Sequence, residues 1–123
     1  MSQHVLVVED DADIANLINI RLTMRGYEAR CVSNGAEAIS ALPEFNPGVV
    51  VTDWMMPVLT GIELSVAIRS QKDGPQPRII MLSARSSEAD EVRALAAGVD
   101  EYLTKPVSFP LLMERIDAGF AAA

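Results

Sequence analysis

Three acids, Glu9, Asp10 and Asp53, each stand at the end of an apolar run, and Ser83 and Lys105 follow two others. Carboxylates gathered in one place repel one another, and such a cluster is tolerable only with a cation or with raised pKa values. Hard oxygen ligands of this kind suit Mg²⁺, with Mn²⁺ as the alternative, and Mg²⁺ typically takes one or two carboxylates plus phosphate oxygens. A lysine and a hydroxyl in the same cleft add donors for an oxyanion. Acids, metal, lysine and hydroxyl together form a phosphoryl-transfer set. Taken singly, each residue has a plainer reading. Asp53 could cap the loop after its strand, Ser83 could cap the next helix, and Lys105 could be a solvated surface lysine.

The elements that would bring these residues together can be read from hydrophobic spacing. Pro47-Gly48 precede the run Val49–Asp53, whose three consecutive valines mark a strand buried on both faces, as in a parallel sheet. Pro57 and Gly61 punctuate the loop after it. His4–Val8 is a second such strand, ending in Glu9-Asp10-Asp11. From Asp13 the apolar residues Ile14, Leu17, Ile18 and Leu22 recur at helical steps, with Asp11 as cap and Gly26 as stop. Residues 27–32 form a short strand. Asn34-Gly35 open a brief helix carrying Ala38, Ile39 and Leu42, broken by Pro43 and Pro47. Residues 62–70 read as a mostly buried helix, and Lys72 to Pro77 as a loop. A fourth strand over 78–82 ends on Ser83-Ala84. A helix over 87–97 has Glu88, Asp90 and Glu91 in its first turns, where the helix dipole favours anions, and stops at Gly98. A short strand over 100–104 delivers Lys105-Pro106. The last helix begins at Ser108 with Pro110 in its first turn, and its apolar face is Leu111, Leu112 and Ile116.

Five strand-then-helix units predict a doubly wound α/β domain, a parallel sheet with helices on both faces and right-handed crossovers. Parallel strands place their carboxyl ends on one edge, where ligands bind in such folds. That edge would collect all five residues.

Bulk properties narrow the function classes. The chain of 123 residues fits one domain, burying roughly two thirds of its unfolded surface. With 17 acids against 10 bases the net charge is −7, which argues against direct nucleic-acid binding. No apolar run approaches the roughly 18 residues needed to cross a bilayer, so no membrane association is expected. The amino-terminal stretch lacks a signal-peptide pattern, and the single cysteine, Cys31, cannot form an internal disulfide. A cytoplasmic protein is the expectation. Cys31 lies in an apolar-polar alternation and reads as a packed thiol. His4, the only histidine, lies at a strand start and is not expected to donate a phosphoryl group. Trp54, Met55 and Met56 read as loop packing.

Glu9-Asp10, Asp53 with Pro57 and Gly61 after it, Ser83-Ala84 and Lys105-Pro106 resemble, in order and spacing, the receiver domain of two-component response regulators. The resemblance covers His4 to about Phe120 and implies a flavodoxin-like receiver fold, with five strands in 2-1-3-4-5 order flanked by five helices. Residues 1–123 would be a single receiver domain. It implies that Asp53 is the phosphoacceptor, forming an aspartyl phosphate with a histidine kinase, a phosphotransfer protein or a small-molecule donor. Asp10 would bind Mg²⁺ directly, Glu9 mainly through water, and the Met55 backbone carbonyl would complete the shell beside Asp53. Lys105, Ser83 and the backbones of Trp54 and Ala84 would contact the phosphoryl group, and Lys105-Pro106 would be cis. Ser83, where the family more often carries threonine, and Tyr102 would be the switch. Together they would shift the face built from the fourth helix, fifth strand and fifth helix. The implied partners are an output domain or target protein and a phosphorylation-dependent homodimer. Arg93, Asp100, Glu101 and Arg115 could serve that dimer, whereas Glu91, Leu111 and Asp117 depart from the expected charge pattern. Val107 stands where many relatives carry an aromatic.

The implied class is a signalling module that assists its own phosphorylation and dephosphorylation but is not a dedicated enzyme. Two rivals remain. A metal-dependent phosphatase or phosphotransferase would need a substrate pocket, and the loops are short. Haloacid-dehalogenase-type enzymes place a second Asp two residues after the first, where this chain has Met55. A receiver-like protein that binds partners without phosphorylation is the other rival.

Overall fold

Val5 and Val7 point to one face of the first strand and Leu6 and Val8 to the other, and all four are buried. A strand apolar on both faces requires a layer on each side, and the computed structural model, which describes residues 3–121, has that architecture. The elements are β1 (His4–Val8), α1 (Ala12–Met24), β2 (Glu28–Val32), α2 (Gly35–Phe45), β3 (Val49–Asp53), α3 (Gly61–Ser70), β4 (Arg78–Ser83), α4 (Glu88–Ala96), β5 (Glu101–Thr104) and α5 (Phe109–Ala121). All neighbouring strands pair in parallel, in the order β2-β1-β3-β4-β5. This is the expected doubly wound sheet.

One core layer joins Leu6, Val8 and Val50 to Leu42 of α2 and to Leu64 and Ile68 of α3. The other joins Val7, Val51 and Ile80 to Ile18 and Leu22 of α1 and to Leu112 and Ile116 of α5. Helix ends are set by local chemistry. Asp11 caps α1, its side chain accepting from the Asp13 and Ile14 amides at 2.9 and 3.2 Å, as its position predicted. Thr60 and Glu63 form a reciprocal capping box at the start of α3. Gly26 and Gly98 take positive φ after α1 and α4, a conformation glycine adopts without strain.

Five local expectations are corrected. Pro43 does not break α2 but lies inside it, near the carboxyl end, where only one intrahelical bond is forfeited. The buried stripe of that helix is Ala38, Ala41, Leu42 and Phe45, and Ile39 is exposed. Helix α3 is not mostly buried, because Val66 is exposed and Ile62 only half-buried. On α5 the third buried residue is Met113, with Leu111 half-buried. Cys31 is exposed on β2, although its Sγ leans on α1, 3.7 Å from the Ala15 carbonyl, and desolvation raises its pKa. Ala122 and Ala123 lie outside the described residues.

Candidate functional site

Sheet register places the site. Val8 is level with Thr52, so Glu9 and Asp53 leave adjacent strands together. Asp53 is level with Leu82, and Ser83 with Thr104. The Lys105 amide then donates to the Ser83 carbonyl at 2.8 Å, which brings the lysine to the same edge. The Lys105-Pro106 bond is cis. Glu9, Asp53 and Ser83 are each at most 5% exposed, while Asp10 and Lys105 face outward.

One oxygen from each of Glu9, Asp10 and Asp53 lies within 4.8 Å of the other two. The Lys105 Nζ is 2.8 Å from Asp53 Oδ1, a close ion pair, but is not aligned as a hydrogen bond, so that oxygen has no hydrogen-bond donor. Glu9 Oε1 also lacks one, while Oε2 accepts from the Asp11 amide at 3.1 Å. Burial first, and then the neighbouring Asp53, push the Glu9 carboxyl up to about 8, against the opposing effects of the Asp11 amide and Lys105. Burial works to lower Lys105, but Asp53, then Glu9 and Asp10, outweigh it and hold the ammonium above its ordinary value. A buried Glu9 oxygen that has no donor among the described residues, beside an Asp53 oxygen held by the Lys105 ammonium, in a triad this tight, fits a hard divalent cation.

The sign of a Glu9 titration follows. Its carboxyl ordinarily titrates near 4.5 and is raised in the fold, so its contribution to stability is complete below 4.5 and is lost as pH rises through about 8. A cation that needs the ionised carboxylate must displace that proton. The melting-temperature gain from Mg²⁺ is therefore expected to be larger at pH 9 than at pH 6.5, and Asp10→Ala should abolish it. Thermal melts at both pH values check this. An equal gain at the two pH values would contradict the Glu9 assignment, and one that survives Asp10→Ala would put the cation elsewhere.

Beside the triad is a cleft of about 120 Å³ lined by Asp53, Trp54, Met55, Ser83, Ala84, Arg85 and Lys105, among others. Backbone donors are distributed differently from the expectation. The Trp54 amide already donates to the Leu82 carbonyl at 3.2 Å. Among the described residues the amides of Met55 and Ala84 donate to no backbone carbonyl, and both residues line the cleft. Ser83 Oγ accepts from the Arg85 amide at 3.0 Å and shapes the loop after β4. The Tyr102 hydroxyl donates to the Arg85 carbonyl at 2.5 Å, and its ring meets Trp54 edge-on with centroids 6.2 Å apart. Trp54 is buried, in keeping with packing, and Met56 with it, but Met55 is 64% exposed.

Two features were not foreseen. Gly61 punctuates the loop and belongs to the receiver pattern, but nothing in the sequence shows that a Cβ there would lie 2.1 Å from the Asp53 carbonyl oxygen. The guanidinium of Arg85 lies over the Trp54 ring, and no motif in the sequence marks it. Charges near the α4–β5–α5 face have partners within the chain. Asp100 pairs with Arg69, Glu101 with Arg78 and Arg115, Asp117 with Arg25, and Arg93 lies over Trp54.

A five-stranded 2-1-3-4-5 sheet with an acid triad and a lysine at its carboxyl edge defines the receiver class. Residues 5–117 match the family described as response regulator receiver domain, and the chain belongs to that family. It is 39% identical over 118 residues to the phosphate regulon transcriptional regulatory protein PhoB of Rhizobium meliloti, covering 96% of this chain and 52% of that protein. Identity to the transcriptional regulatory protein KdpE of Mycobacterium tuberculosis is 39% over 115 residues, covering 94% of this chain and 50% of that protein. The chain spans about half the length of these curated relatives. Among solved structures, the Francisella response regulator 1452 receiver domain superposes with a TM-score of 0.92 at 35% identity, covering 98% of each chain. The receiver domain of a signal transduction histidine kinase from Syntrophus aciditrophicus superposes at 0.91 with 29% identity, covering 99% of this chain and 92% of that one. No helix among the described residues is long and apolar enough to cross a membrane.

Proposed function

We propose that residues 1–123 act as one receiver domain whose Asp53 accepts a phosphoryl group from a histidine kinase, a phosphotransfer protein or a small-molecule donor. The observation that carries this reading is the buried Asp53 carboxylate, held 2.8 Å from Lys105 Nζ within the triad of acids. An Asp53 oxygen attacks phosphorus, the bond from phosphorus to the donor's nitrogen or oxygen breaks, and its electron pair leaves with the donor. Asp10, Asp53, the Met55 carbonyl and, through water, Glu9 would hold Mg²⁺ or Mn²⁺, which neutralises charge on the phosphoryl oxygens. Lys105 supplies a fixed cation to a third oxygen. Ser83 and the amide of Ala84 supply neutral donors. The Met55 amide suits this task better than that of Trp54, whose hydrogen is already engaged.

The output is control of an attached domain or separate partner through the α4–β5–α5 face, with Ser83 and Tyr102 relaying the change. A phosphorylation-dependent dimer through that face would draw on Asp100 and Glu101, which pair within the chain with Arg69, Arg78 and Arg115. The net charge of −7 leaves any nucleic-acid contact to another domain. The site belongs to cytoplasmic signalling chemistry.

Beryllofluoride, a phosphoryl mimic, tests the reading through thermal melts. Beyond the gain from Mg²⁺ alone, a further rise in melting temperature is expected when beryllium and fluoride are added with Mg²⁺, and no such further rise with Asp53→Asn. An equal rise in that variant would remove Asp53 from the role.

A further inference from the structure

Arg85 stands between the cleft and helix α4. Arg85 lines the cleft together with Asp53 and Lys105. Its guanidinium carbon lies 4.9 Å from the centroid of the Trp54 ring, and its Nε is 3.3 Å from Asp90 Oδ1 in the first turn of α4. Arg93, also on α4, lies over the same indole at 5.5 Å. Two cations sharing one ring repel each other, and Asp90 offsets them. Its carboxyl is held below its ordinary value first by the Ser87 hydroxyl and then by Arg85 and Arg93. The backbone of Arg85 is tied as well, its carbonyl to Tyr102 and its amide to Ser83 Oγ.

The arrangement holds a mobile cation beside a position that gains negative charge. A half-exposed guanidinium on an indole is held by a weak attraction, and its surface ion pair adds little. A phosphoryl group on Asp53 would offer the same guanidinium a charged, bidentate partner in a smaller and drier space. If Arg85 leaves, Asp90 still has Arg93 three residues along its own helix, so its charge keeps a nearby cation while α4 loses its tie to the β4–α4 loop. We propose that Arg85 is a latch on the phosphoryl site: it rests on Trp54 and Asp90, and an anion arriving at Asp53 draws it into the cleft and releases α4. This rests on the reading of Asp53 as phosphoacceptor and names the residue that carries its charge change to α4.

Rates of phosphorylation by acetyl phosphate with Mg²⁺ test the latch in four full chains: native, Arg85→Gln, Asp90→Asn and the double variant. Thermal melts establish that each is folded. Arg85→Gln is expected to slow the reaction, and Asp90→Asn, which frees the guanidinium, to speed it. Each change should be about two- to tenfold, the lower part of the span of couplings between touching residues. In the Arg85→Gln background, Asp90→Asn should then change nothing. The emission of Trp54, the only tryptophan, should shift on phosphorylation in the native chain and not in Arg85→Gln. If Asp90→Asn speeds both backgrounds equally, only its field acts and the latch is overturned. Rates unaltered by Arg85→Gln overturn it too, while leaving the Asp53 reading intact. A native chain that takes up no phosphoryl group overturns both.

Discussion

Gly61→Ala is expected to cost the domain about 3 kcal/mol or more, at the upper end for substitutions that force extra atoms into a packed site. The added Cβ would lie 2.1 Å from the Asp53 carbonyl oxygen and 2.8 Å from Met81 Cε. The methionine end could move, but the carbonyl belongs to a strand paired on both sides. Nor can α3 easily retreat. Its first turn is fixed by the Thr60–Glu63 capping box, and the Gly61 amide donates to the Trp54 carbonyl at 2.7 Å. The clash therefore falls on the backbone that carries Asp53, and phosphorylation should weaken along with stability. Urea unfolding of the native and variant chains measures the loss. A value below about 1 kcal/mol would show that α3 slides away freely.

Lys105→Met is expected to have the largest effect on chemistry, because it removes a charge while keeping a stem of similar length. One positioned donor to a developing anion is worth about a hundredfold or more in rate. Phosphorylation by acetyl phosphate should fall by about that factor. Metal binding should move the other way. Lys105 now occupies Asp53 Oδ1 at 2.8 Å and competes for the same carboxylates as the cation, so its loss should tighten Mg²⁺ binding. Opposite signs separate an electrostatic role from general damage. A misfolded site would lose both properties together. A variant with unaltered phosphorylation would return Lys105 to the surface-lysine reading.

The sheet was legible because its central strands are apolar on both faces, a pattern that only a layer of helices on each side can bury. Val49, Val50 and Val51 carry that message without help from the rest of the chain. The edge position of the acids followed from parallel pairing alone. Other features depend on neighbours that no local pattern reveals. Pro43 is tolerated in α2 because Leu42 and Phe45 on either side of it anchor the last turn in the core. Cys31 alternates like a packed residue, but β2 is an edge strand with four of its residues exposed or half-buried beside it. The close approach of Gly61 to the Asp53 carbonyl is a contact between two elements, and a glycine in a loop gives no sign of it. Arg85 gave none either, since its stacking on Trp54 depends on how the β4–α4 loop folds back over the β3 end.

The intact mass of the native chain after incubation with acetyl phosphate and Mg²⁺, with Asp53→Asn alongside, bears most directly on Asp53. One added phosphoryl group is expected on the native chain alone, lost on treatment with hydroxylamine as an acyl phosphate requires. An adduct of the same kind on both proteins would contradict the assignment of Asp53 as the acceptor.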